Sequence, residues 1–116
     1  MRKLFATVPL LLLGGCMSLT SLEKYPVSYA GELKGNYYDL AECAKARQSK
    51  AVPMVRIELL HDKPAQEATV TWNHEFGAMN AFIFKAEGAD KTKLTIYSAS
   101  GLNDSWITLT RGCEQT

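Results

Sequence analysis

The chain has 116 residues, 13 of them basic and 12 acidic, with 47% hydrophobic and 9% aromatic content. That length holds one small domain. The hydrophobic share excludes a disordered chain, and the near-neutral balance removes any general electrostatic attraction to nucleic acid or to an anionic surface.

Met1-Arg2-Lys3 is a short cationic start, and Leu4 to Leu13 is an apolar run containing Pro9. This is the layout of a secretory signal peptide. The run is too short to span a bilayer as a helix, which takes about 20 residues. It ends in Leu13-Gly14-Gly15-Cys16, which resembles the lipobox of bacterial lipoproteins. The resemblance implies that residues 1–15 are removed and that Cys16 becomes the new N-terminus, with a diacylglyceryl group on its sulfur. In a Gram-negative host its amino group is acylated as well. Two or more chains hold a protein to a membrane stably, at about 0.8 kcal/mol per buried methylene. Met17 stands where an aspartate would signal inner-membrane retention. The implied address in a Gram-negative cell is therefore the periplasmic side of the outer membrane.

The lipobox also resolves the cysteine count. Three cysteines in an exported chain leave one thiol over. With Cys16 lipidated, Cys43 and Cys113 remain as an expected disulfide pair.

Residues 16–35 read as a lipidated N-terminus and tether, rich in Ser, Gly and Pro without a steady period. Tyr25, Val27 and Tyr29 alternate, so a short edge strand is an alternative there. Residues 36–116 read as a single globular α+β domain. Asn36 is a good N-cap, with Asp39 in the first turn. Tyr37, Leu40, Ala41 and Ala44 form one apolar helical face, with Cys43 toward it. Pro53 lies beyond the expected end near Lys50.

Four segments then alternate with period two. Val55, Ile57 and Leu59 oppose Met54, Arg56 and Glu58; His61-Asp62-Lys63-Pro64 reads as a turn. Ala68, Val70 and Trp72 oppose Thr69, Thr71 and Asn73, and Asn73 to Gly77 reads as a loop. Phe82 and Phe84 oppose Met79, Ala81 and Ile83. After the turn Glu87–Asp90, Leu94 and Ile96 oppose Lys93, Thr95 and Tyr97. Short connections and alternation predict an antiparallel meander. The stretch from Ser105 fits a strand by its β-branched residues. It fits a helix by Asn103 or Asp104 as cap and by the shared face of Trp106, Leu109, Thr110 and Cys113. The helix is the preferred reading. The expected architecture is two layers: a four-stranded antiparallel sheet covered on one face by an N-terminal helix and a C-terminal helix, with one disulfide.

Chemistry-bearing patterns are few. His61-Asp62 and His74-Glu75 are histidine–acid neighbours, yet His74-Glu75 lacks the H-E-x-x-H spacing. Both histidines read as loop residues at opposite ends of a hairpin, so no metal site is expected. Ser98, Ser100, Ser105 and Thr108 surround Gly101 without a G-x-S-x-G elbow. No C-x-x-C or glycine-rich phosphate loop occurs after residue 16, and neither a catalytic residue nor a cofactor is expected. Met54, Leu60, Met79, Ala81, Ile83 and Tyr97 point away from the assigned core and would form a binding patch if contiguous.

Taken together, the lipobox, the tether, the Leu40-Ala41-Glu42-Cys43 helix, the strands and the late cysteine resemble small proteobacterial envelope lipoproteins. The function this implies is a lipid-anchored envelope protein that acts by binding another envelope protein, and not an enzyme. Inhibition of a periplasmic hydrolase is the alternative, by analogy of size and architecture to small periplasmic lysozyme inhibitors. A small envelope hydrolase using His61 or His74 is the reading from a different class.

Overall fold

Asn36 starts the first helix as its side chain accepts hydrogen bonds from the backbone N–H groups of Tyr38 (2.9 Å) and Asp39 (3.1 Å). Two of the N–H groups that a helix start leaves unpaired are thereby satisfied. The computed structural model describes residues 24–74, 77–99, 101 and 103–115. Within them the order is β1 (Val27–Lys34), α1 (Tyr37–Ala51), β2 (Arg56–Asp62), β3 (Glu67–His74), β4 (Gly77–Ala86), β5 (Lys91–Ser98) and α2 (Asp104–Arg111). The sheet is antiparallel throughout, in the order β1-β5-β4-β3-β2.

The alternation of β2 to β5 places Ile57, Ala68, Val70, Trp72, Phe82, Phe84, Leu94 and Ile96 in one buried layer. Leu40, Ala41 and Ala44 of α1 lie against it. Phe82 and Phe84 are fully buried, and each contributes about 1.5–3 kcal/mol relative to an exposed side chain. The segment from Asp104 is helical, with Asn103 accepting from the Ser105 N–H at 2.8 Å. Its Trp106 meets Trp72 edge to face at 4.8 Å.

Among the described residues the sheet has five strands, not four. Val27–Lys34, expected as part of the tether, is an edge strand paired with β5 from Val27↔Tyr97 to Lys34↔Lys91. The folded body therefore begins before Asn36, and α1 follows a strand instead of opening the domain. Ser28, Ala30 and Gly31 blur the apolar alternation of β1, and a register shift between Val27 and Tyr29 breaks it further. Pairing with β5 and burial of Leu33 hold the strand in place. Gly35, at φ +134°, turns the chain from β1 into α1.

Two turns also sit later than the sequence suggests. β2 runs through His61 and Asp62, and the turn occupies residues 63–66. β3 continues through His74, which pairs with Gly77 at the start of β4. Cross-strand pairing continues wherever partner backbone is in register, whatever the turn propensity of the residues.

Among the described residues, Gln48, Thr92 and Thr110 are polar and fully buried. Gln48 lies on α1. Its Oε1 accepts from Trp72 Nε1–H at 2.7 Å, and its Nε2 donates to Thr110 Oγ1 at 3.2 Å. One amide thus joins α1, β3 and α2. Gln48→Leu is expected to destabilise the fold by about 1–3 kcal/mol, because the Trp72 and Thr110 groups lose their partner while buried; urea denaturation measures it.

Candidate functional site

The Cys43–Cys113 disulfide is present, joining α1 to the residues just after α2 across a separation of 70. For a loop that long the chain-entropy estimate is roughly 4 kcal/mol, and strain or residual structure reduces it. The residues around Cys113 do a second job. Gln115 N–H donates to the Lys34 carbonyl (2.9 Å) and Glu114 Oε2 accepts from Lys34 N–H (3.0 Å). Arg111 Nη1 donates to the Glu32 carbonyl (3.2 Å) and to the Tyr29 hydroxyl (2.9 Å). The C-terminal segment therefore occupies the outward backbone groups at the end of β1.

His61 ends the inner row of β2 that begins with Ile57 and Leu59. There it meets the first turn of α1. Tyr38 stacks on the imidazole at 4.3 Å between ring centres, inclined by 28°. The Tyr37 hydroxyl shares a 2.8 Å hydrogen bond with His61 Nε2. The side chain of Glu42, one turn along α1 from Tyr38, raises the Tyr38 phenol pKa above its ordinary value by its negative charge. This cluster was not foreseen. Its signal was the period-two continuation of β2 past Leu59 to His61, together with the N-cap that places Tyr37 and Tyr38 in the first helical turn. A tyrosine hydroxyl and an imidazole nitrogen in contact can exchange a proton. Among the described residues, no hydrogen bond joins a carboxylate to His61 to orient it.

The two histidines do not meet. His61 pairs with Ala68, six residues from His74 along β3. At about 3.3 Å per residue that is roughly 20 Å of strand, far beyond the reach of zinc–nitrogen bonds of about 2 Å. Among the described residues, no group of three or more His, Cys, Asp and Glu side chains is placed to hold a metal ion. Two of the hydroxyls near Gly101 are used locally: Ser98 Oγ donates to the Gly101 carbonyl at 3.0 Å and Ser105 Oγ to Asn103 Oδ1 at 2.8 Å; Ser100 lies outside the described residues.

On the face of the sheet away from the helices, Ala81 stands opposite Tyr97, and Ile83 lies between Thr69 and Thr95. Ala81 and Ile83 are buried, so the expected patch is not an exposed apolar surface. Leu60, 54% exposed, lies at the β2 edge, and Met54, 95% exposed, precedes that strand. At the other end, an open groove of about 570 Å³ lies among Glu32, Lys34, Glu87, Asp90, Lys91 and Glu114. The Glu114 carboxylate there already accepts from the Lys34 backbone N–H.

No protein-family model matches the chain, and no curated protein matches it significantly.

The Tyr38 phenol is expected to ionise above the ordinary tyrosine range, and Glu42→Gln to lower its midpoint back toward that range. Removing an anion favours formation of a second one. Ultraviolet titration of the single-tyrosine difference spectrum (wild type minus Tyr38→Phe), in both backgrounds, measures this.

Proposed function

We propose that this is a lipid-anchored protein of the cell envelope that acts by binding a protein partner and not by catalysis. Lipid on Cys16 holds it to the membrane, which in a Gram-negative host is the outer membrane on its periplasmic side. The observation that carries the reading is the pairing of the cysteines. With Cys43 and Cys113 in one bond, Cys16 is the one cysteine of three left over, and it directly follows Gly14-Gly15. A disulfide between secondary elements also suits an oxidising compartment such as the periplasm.

The anchor would limit where the domain works. Ten residues, 17–26, separate Cys16 from β1. Fully extended, they span no more than about 35 Å, so the partner would be met close to the bilayer.

Cells fed a clickable fatty acid are expected to label the wild-type chain and not Cys16→Ser, which should also leave the membrane fraction. An unlabelled wild type, or label retained on the variant, rejects the anchor.

A further inference from the structure

The two edges of the sheet differ. The β1 edge is closed near its end by Arg111, Glu114 and Gln115. The β2 edge has no such cover: among the described residues, no backbone group of Arg56–Asp62 bonds to anything beyond its ladder with β3. A strand edge of this kind is a template for another strand.

We propose that β2 pairs with β2 of a second copy of this chain, antiparallel about a two-fold axis through Leu59. Charged edge strands ordinarily repel a copy of themselves. Here Arg56 and Asp62 lie three residues on either side of Leu59 with opposite signs. The two-fold therefore sets Arg56 of one copy against Asp62 of the other, twice. At the centre Leu59 faces its own copy on the helix side. On the other side the exposed Leu60 lies diagonal to its own copy, within reach across an antiparallel pair.

The register is selected by charge. A two-residue shift one way sets Glu58 against the Glu58 of the other copy. A shift the other way sets Glu58 against Asp62. Like charges directly opposite are destabilising. A one-residue shift would join opposite faces of the two sheets and place the helix layers on opposite sides. The two-fold uses the β2 edge of both copies, so the pairing stops at two and yields one continuous sheet with both helix layers on the same side. Such a contact is isologous and closed. It does not depend on lipidation, since none of its residues lies upstream of β1.

The test is sedimentation of the full chain in mild detergent. A dimer is expected for the wild type. Arg56→Asp and Asp62→Arg are each expected to weaken it by at least about tenfold, because each change acts twice and replaces attraction by repulsion. The double variant Arg56→Asp/Asp62→Arg restores the charge pairs in reversed order and is expected to dimerise again. Asp62 also accepts the Ala65 N–H in the following turn (3.3 Å), so circular dichroism accompanies each variant, and Arg56→Asp carries the test if Asp62→Arg misfolds. A monomeric wild type overturns the proposal. So does a dimer indifferent to Arg56→Asp, or a folded double variant that stays monomeric while both single variants dissociate.

Discussion

The bond between Cys43 and Cys113 is the constraint from which the rest of the arrangement follows. It fastens the end of the chain to α1, and α1 lies across the buried face of the sheet. The residues flanking Cys113 are thereby held beside β1, where Arg111, Glu114 and Gln115 take up its outward backbone groups. A single covalent link thus holds the second helix in the helix layer and places the tail against the end of one sheet edge. Hydrophobic burial alone would favour a covered sheet but is non-directional; it does not specify which edge the tail lies on.

Gln48 complements that link from inside the core. Its amide spans the gap between Trp72 and Thr110, so the two helices and β3 have one arrangement in which all three polar groups are satisfied. A purely apolar residue there would fill the space but tolerate sliding of α2 over the sheet. The disulfide limits how far the C-terminal segment moves, and the hydrogen bonds select its orientation. Outside that core, the tyrosine–histidine cluster, the charged groove and the β2 edge lie at the ends and edges of the sheet.

The proposed anchor rests on Leu13-Gly14-Gly15-Cys16, upstream of the described residues, and the Cys43–Cys113 bond bears on it by leaving Cys16 as the third cysteine. His61 is held by two tyrosines, His74 lies at the far end of the hairpin, and two of the hydroxyls near Gly101 bond within their own loop.

The sequence by itself determined the helix starts, the four strands β2 to β5 and which of their residues face inward. Each of those signals is local: an Asn36 or Asn103 cap, or apolar residues at every second position. It also determined the cysteine pair, once one sulfur was assigned to the lipobox. Tertiary structure alone decided that Val27–Lys34 is a strand, because small and polar residues there carry little alternation and β5 supplies the missing hydrogen bonds. It also carried β2 onward to His61, put Gln48 in the core and buried Ala81 and Ile83. A polar residue is buried when partners from distant segments meet it, and no spacing along the chain records where those partners will be.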